Sequence, residues 1–132
     1  MKKLTLFGLL LVFISCSLDS GTKYAQGLLP IDEAETPEKF ILNTIDTVKV
    51  KYTLPNACFS FYGLYYERKE NERIIAIRAL ENLDEACASQ VIERELDIPI
   101  EIVQQEDYVF KFWKGKDSDG NDIFDEVTVP VE

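Results

Sequence analysis

The chain has 132 residues, a length that fits one domain. Hydrophobic residues make up 46% and charged residues 29%, which is the balance of a globular domain and excludes an intrinsically disordered chain. The formal net charge of −10 repels phosphate backbones, so we expect no nucleic-acid partner. The chain has no histidine, which excludes Ser-His-Asp and Cys-His catalysis and zinc sites that need histidine.

The first 15 residues have the pattern of a signal peptide. Lys2 and Lys3 form a positive N-terminal region, and an apolar run of 11 residues follows from Leu4 to Ile14. A helix of that length covers only about half of a ~30 Å hydrocarbon core, so the run is too short for a transmembrane anchor. We therefore expect residues 1–15 to be removed during export.

The apolar run ends in Phe13-Ile14-Ser15-Cys16. This stretch resembles the lipobox of bacterial lipoproteins, which has an apolar residue at −3, a small residue at −1 and an obligatory cysteine at +1. Phe13 stands where leucine is usual, and the looser lipobox usage of Bacteroidota lipoproteins accepts it. The resemblance implies a type II signal peptide, cleavage before Cys16 and lipid on that cysteine. The alternative is an ordinary secretory leader that contains Cys16 by chance.

Lipid attachment at Cys16 implies a location in the cell envelope. Ser17 is not the acidic residue at +2 that retains some lipoproteins at the inner membrane, so we expect the outer membrane, on its periplasmic face or at the cell surface. The membrane is then a partner through the lipid and not through charge, because the mature chain keeps 12 basic and 24 acidic residues, a formal charge of about −12.

Residues 16–38 contain two glycines, two prolines and several acids, and they show no sustained periodicity. This composition is typical of a tether, although the segment Leu28 to Ile31 is apolar enough to dock on a domain. We expect residues 16–38 to carry the lipid and act as the tether, and residues 39–132 to form the folded domain.

From residue 39 onward, apolar and polar residues alternate with a period of two, which predicts strands. The clearest case is Val48, Val50, Tyr52 and Leu54. Further strands are expected over residues 57–66, 73–80, 95–102, 108–113 and 123–131, the last two as a hairpin.

Short strands at regular spacing with polar turns predict an all-β fold, an antiparallel two-layer β-sandwich of immunoglobulin-like type. Residues 57–66 are aromatic on both faces, which indicates a central strand. Residues 82–91 are rich in alanine and acids behind a possible cap at Asn82, so one short helix can form there.

With Cys16 assigned to the lipid, Cys58 and Cys87 remain as an even pair. Export places them in an oxidising compartment, where such a pair most often forms a disulfide. A redox-active pair is the alternative, but the C-x-x-C spacing of redox sites is missing. We predict a structural bridge between Cys58 and Cys87.

The acidic loop after residue 116 contains the oxygen ligands that calcium prefers, in Asp117, Asp119, Asn121 and Asp122. The spacing does not fit an EF-hand, because Gly120 falls at loop position 4 where position 6 is required. We therefore expect a hairpin loop and no cofactor, with a calcium site as the alternative.

Tyr62, Tyr65, Tyr66 and Trp113 could form a platform for sugars or a protein-binding patch if they are exposed. A domain of this size needs most of its aromatic side chains in the core, so burial is the expectation. The sequence also lacks a glycine-rich phosphate loop and a nucleophile motif, and we expect no enzymatic activity.

The overall pattern is similar to that of small lipoproteins of Bacteroidota. The sequence thus predicts a membrane-anchored envelope protein that acts as a non-enzymatic binding or assembly module, with an envelope protein or a glycan as partner. The alternatives are a secreted hydrolase that uses a pair of carboxylates and a calcium-stabilised module that uses loop 117–126.

Overall fold

The computed structural model describes residues 21–132. The expected signal peptide and Cys16 lie outside the described residues. The described chain forms eight strands: β1 (Tyr24–Leu29), β2 (Glu33–Glu35), β3 (Ile45–Leu54), β4 (Phe59–Lys69), β5 (Glu72–Asn82), β6 (Ile92–Glu101), β7 (Tyr108–Lys116) and β8 (Asp122–Val129). In this part of the chain there is no helix of the length and apolarity that a membrane crossing requires.

The strands form two sheets. The smaller sheet has the order β2-β3-β6, and the larger sheet contains β1, β4, β5, β7 and β8. The predicted all-β fold and the two-layer, immunoglobulin-like sandwich are confirmed. One pairing departs from the antiparallel pattern, since β5 and β7 run parallel. The intervening β6 lies in the opposite sheet and supplies the crossover that a parallel pair needs.

Strand β5 is the central strand of the larger sheet and pairs with two different strands along one of its edges. Strand β4 covers the other edge, from Glu72 to Glu81. On the shared edge, β7 pairs with residues Glu72 to Ile75, and β1 pairs with residues Ile77 to Asn82. Strands β1 and β7 therefore meet end to end beside Ala76.

The core lies between the sheets and follows the predicted alternation. Val48, Val50, Tyr52 and Leu54 of β3 are all buried, as are alternate residues of β5, β6 and β7. Phe40 is fully buried and meets Tyr108 edge to face, with ring centroids 5.2 Å apart. Burial of one face of each strand is the main stabilising contribution of the sandwich.

The domain begins earlier than the sequence predicts. Residues 24–29 and 33–35, expected in the tether, form β1 and β2 and pair with β5 and β3. Between them, Ile31 is 1% exposed and its backbone N–H donates to the carbonyl of Trp113 at 2.8 Å. Short strands at sheet edges need little periodicity of their own, so the sequence does not indicate β1 and β2 as strands.

The position of the aromatic strand also differs from the prediction. Strand β4 pairs with β5 alone, so it is an edge strand and not a central one. The smaller sheet has three strands against five and covers β4 only in part, where Tyr52 of β3 packs against Phe61 with ring centroids 6.0 Å apart. Several aromatic side chains of β4 are consequently exposed: Phe61, Tyr62, Tyr65 and Tyr66.

The short helix that the sequence allows over residues 82–91 does not form. Asn82 is the last residue of β5, and its N–H donates to the carbonyl of Cys58 at 2.9 Å. Its side chain accepts a bond from the N–H of Asp84 at 3.0 Å, which turns the chain without starting a helix. The predicted disulfide between Cys58 and Cys87 is present, with a Cα–Cα distance of 5.5 Å. It ties this segment to the start of β4.

Candidate ligand-binding cleft

A cleft of about 240 Å³ opens on the outer face of the larger sheet. It lies where β5 changes partner from β7 to β1. Ala76 occupies the centre, paired with Tyr65 of β4, and is 1% exposed although it points away from the core. Its small side chain leaves a hollow between the larger side chains around it, which come from all five strands of the sheet: Leu28, Tyr65, Glu67, Ile74, Trp113, Lys116, Asp122 and Phe124.

The walls of the cleft are aromatic. Tyr65 stands on the β4 side and is 37% exposed. Trp113 and Phe124 stand on the opposite side and are paired with each other between β7 and β8. Leu28 of β1, 41% exposed, closes the end. The cleft therefore presents flat aromatic surfaces to solvent around an apolar floor.

Polar groups lie at the mouth of the cleft in two hydrogen-bonded sets, one of two residues and one of three. The Tyr65 hydroxyl donates to Oε2 of Glu67 at 2.7 Å. On the other side, Oδ1 of Asp122 accepts from Nε1 of Trp113 and from Nζ of Lys116, each at 3.0 Å. These bonds fix the orientation of both aromatic rings.

The electrostatics follow from these bonds. The indole N–H of Trp113, and then Lys116, hold the pKa of Asp122 below its ordinary value of 3.8. The hydrogen bond to Glu67 raises the pKa of the Tyr65 hydroxyl, which stays protonated at neutral pH. At neutral pH Asp122 is thus an ionised acceptor and not a proton donor.

The aromatic residues named by the sequence divide between two places. Tyr65 and Trp113 face each other across the cleft. Tyr62 is also exposed, at 48%, but lies outside the cleft beside Arg78, whose guanidinium carbon is 5.0 Å from the ring centre. Tyr66 is 41% exposed, and burial against its neighbours raises the pKa of its hydroxyl. The expectation of burial is wrong for Tyr62, Tyr65 and Tyr66, and Trp113 is half-buried.

The acidic loop forms the turn of the β7–β8 hairpin. Oδ1 of Asp117 accepts from the backbone N–H groups of Asp119 and Asn121, each at 2.9 Å. These bonds hold the pKa of Asp117 below its ordinary value. Asp122 instead accepts a bond from Trp113. The four candidate calcium ligands are therefore divided between two hydrogen-bond networks, one within the turn and one at the cleft. Among residues 21–132, no group of three or more acidic or cysteine side chains is arranged to hold a metal ion.

A larger cleft, of about 450 Å³, lies beside the smaller sheet. Its side chains are mostly charged and bind one another: Lys51 lies 3.2 Å from Glu33 and 4.0 Å from Glu95. Asp32 accepts a bond from the Thr53 hydroxyl at 2.6 Å. Glu93 and Arg94 complete a lining of mostly charged and exposed side chains, in which Tyr52 is the one aromatic residue, so we place the candidate site in the aromatic cleft.

The fold and the cleft together define a β-sandwich module with a ligand-sized depression on one sheet face. Residues 48–131, which span most of β3 and all of β4 to β8, match the ORF11 beta-sandwich domain. The chain belongs to this family. No curated protein and no solved structure matches it.

The sequence predicts burial for Tyr65 and Trp113, with an exposed platform as the alternative, and a turn or a calcium ligand at Asp122. It indicates Leu28 only as part of a segment that can dock on the domain, and no pattern indicates Glu67 or Lys116. Their association depends on the register of five strands, and no local pattern in the sequence contains that information.

Proposed function

We propose that this protein is a lipid-anchored envelope protein that acts as a non-enzymatic binding module through the aromatic cleft. The single observation that carries the binding role is the grouping of three large side chains around one hollow, with Tyr65 and Leu28 exposed and Trp113 half-buried. Leaving large apolar side chains in water has a cost, and a grouped set of them marks an interaction site. Charged groups at the mouth then fix the orientation of a ligand.

The geometry of the domain suits attachment through Cys16. The chain enters the sandwich at Tyr24, opposite Asn82 at one end of β5. Ala76 lies six residues along β5, which is about 20 Å at ~3.4 Å per residue. The cleft is therefore well separated from the end of the domain that the lipid would hold near the membrane.

The chain between the lipid and the sandwich is short. Seven residues separate Cys16 from Tyr24, a chain that spans at most about 28 Å. The strongly acidic surface adds repulsion from anionic head groups. Both features favour a domain held close to the membrane but not lying on it.

Metabolic labelling with a clickable fatty acid tests the anchor. We expect label on the wild-type protein and none on a Cys16→Ser variant. A Cys58→Ser variant is the matched control, because it removes a different cysteine and should keep the label. An unlabelled wild-type protein contradicts the anchor.

Binding to isolated envelopes tests the second part. The purified mature chain without lipid, residues 17–132, contains every strand and the disulfide. We expect saturable binding that Tyr65→Ala weakens and that Tyr62→Ala leaves within about twofold, since both residues are exposed tyrosines of β4 and only Tyr65 lines the cleft. Absence of saturable binding contradicts the proposed role.

A further inference from the structure

The aromatic cleft has features that together select one class of ligand. Its volume of about 240 Å³ lies below the ~300–1,000 Å³ of sites for drug-sized molecules. It fits one ring-sized group and leaves the rest of a larger ligand in solvent. The rings of Tyr65 and Trp113 line opposite sides of the cleft and offer flat apolar surfaces, which suit a ligand with a flat apolar face.

The same ligand must also offer hydroxyl groups. Within residues 21–132, the bonds to Asp122 all use Oδ1 and the bond to Glu67 uses Oε2, so Oδ2 of Asp122 and Oε1 of Glu67 remain as acceptors. Lys116 donates to Asp122 and to the carbonyl of Gly120, which leaves one further N–H. Two acceptors and one donor around a rim match a pair of adjacent hydroxyls.

Charge excludes several other ligands. Glu67 and Asp122 outnumber Lys116 at the rim, and the whole chain carries −10, so phosphates, sulfates and uronates are repelled. An acyl chain or an apolar helix would remove these charged groups from water and leave Oδ2 of Asp122 and Oε1 of Glu67 without a donor, which is costly.

Addition of a strand from a protein partner is also disfavoured. Strand β4 is the free edge nearest to Tyr65, but its register shifts between Phe61 and Gly63. Charged residues occupy its last three positions, Glu67 to Lys69. Bulges and charges of this kind protect an edge from pairing. A second copy of the chain meets the same obstacle and adds repulsion between two acidic surfaces.

We infer that the cleft binds a neutral pyranose unit of a glycan, with one sugar face against Tyr65 or Trp113 and adjacent hydroxyls bound by Asp122, Glu67 and Lys116. This inference rests on the proposed binding role and specifies its ligand. A shallow site for one ring gives an affinity of about millimolar per unit, which repeated units on a polymer increase.

The test uses the mature chain, residues 17–132, with the polysaccharide fraction of envelopes after proteinase treatment. We expect saturable binding that mild periodate oxidation abolishes, because periodate cleaves the carbon–carbon bond between adjacent hydroxyls. Tyr65→Ala should weaken binding at least about tenfold, a typical loss for a central aromatic contact, while Tyr62→Ala changes it by less than about twofold.

Trp113 provides a second readout that needs no substitution. It is the only tryptophan of the chain, so intrinsic fluorescence reports on the cleft itself. We expect neutral oligosaccharides released from the same fraction to shift or quench its emission to saturation. Released anionic oligosaccharides serve as the control and should bind at least about tenfold more weakly.

The outcomes separate the two proposals. Binding to untreated envelopes that survives periodate but is lost with proteinase overturns the glycan inference and identifies a protein partner, while the binding role stands. Equal losses for Tyr62→Ala and Tyr65→Ala also overturn the inference. Absence of saturable binding to untreated envelopes overturns both.

Discussion

Trp113 and Asp122 are joined across the β7–β8 hairpin by a hydrogen bond of 3.0 Å from the indole Nε1 to Oδ1. The two residues lie nine positions apart in the chain and face the outside of the sandwich. The bond orients the only tryptophan of the protein, and the Lys116 ammonium reinforces it from the other side. The ionisation of Asp122 and the fluorescence of Trp113 are therefore linked.

The first prediction concerns the pH dependence of Trp113 emission. The hydrogen bonds from Trp113 and from Lys116 hold the pKa of Asp122 below 3.8. Because the folded pKa is lower than the unfolded one, the carboxylate stabilises the folded state above pH 3.8, and this contribution is lost as the pH falls through the folded pKa. We expect an emission change with a midpoint below 3.8, measured while circular dichroism shows a folded domain.

An Asp122→Asn variant provides the check, since it removes the charge and keeps the size of the side chain. The acid transition in the emission of Trp113 should disappear in this variant. An Asp119→Asn variant is the matched control, because Asp119 lies in the same turn and makes no bond to Trp113. A midpoint at or above 3.8 in the wild-type protein contradicts the linkage.

The second prediction tests the early start of the domain. Ile31 lies between β1 and β2 and is 1% exposed, so Ile31→Ala should leave a cavity and destabilise the protein by about 2–5 kcal/mol. Ile45→Ala is the control, because the same side chain is 71% exposed there and the change should be within about 0.5 kcal/mol. Urea unfolding measures both variants. Equal losses of unfolding free energy in the two variants would show that residue 31 belongs to the tether and not to the folded domain.

Alternation predicted the strands that have one face in the core. In β3, Val48, Val50, Tyr52 and Leu54 are buried as the period of two requires. The pattern predicts burial correctly in β3 because one face of the strand lies in the core and the other faces solvent. It carries no information about which strand lies at an edge.

The alternation pattern does not predict the position of strand β4 in the sheet. Its residues are apolar on both faces, which suits a central strand and also an uncovered edge used for binding. The choice depends on pairing with β5 and on the width of the opposite sheet, both of which are long-range properties. The cleft has the same origin, because Tyr65, Ala76 and Trp113 meet only through the registers of three strands.

The third prediction concerns Arg73, which is 2% exposed in the core. Its guanidinium donates to the carbonyls of Glu70 and Glu72 and to the side chain of Gln104, at 3.0, 2.9 and 2.7 Å. It also lies over the ring of Tyr108, 4.8 Å from the centroid. These contacts fasten the turn before β5 to the loop after β6.

Lysine cannot reproduce the planar fork that makes these bonds. We expect Arg73→Lys to reduce the free energy of unfolding by about 2–4 kcal/mol, since a buried side chain then loses most of its hydrogen bonds to three partly buried acceptors. The control is Arg78→Lys, at an exposed arginine of the same strand that contacts Tyr62. That change should stay within about 0.5 kcal/mol in urea unfolding, and similar losses at both positions would contradict the assigned role of Arg73.

The fourth prediction concerns the disulfide between Cys58 and Cys87. It closes a loop with a sequence separation of 29, and cross-linking a loop of that length restricts the unfolded chain by about 3.5 kcal/mol. Both proteins in this comparison carry Cys16→Ser, and the reference protein keeps the oxidised bridge. The double variant Cys58→Ser, Cys87→Ser should be less stable than this reference by about that amount in urea unfolding.

We expect the loss of stability in the double variant to be concentrated in one part of the domain. Residues 83–91 form no regular strand, and the bridge and two backbone bonds hold them: Ala57 to Ala88 at 3.2 Å and Leu83 to Lys23 at 2.9 Å. Amide hydrogen exchange should therefore accelerate first at Ala57 and Leu83 in the double variant, while amides of β3 keep their order of protection. The cleft centres on Ala76, about 20 Å along β5 from Asn82, so the fluorescence of Trp113 should be unchanged in the folded variant. An altered Trp113 signal would show that the bridge also supports the cleft.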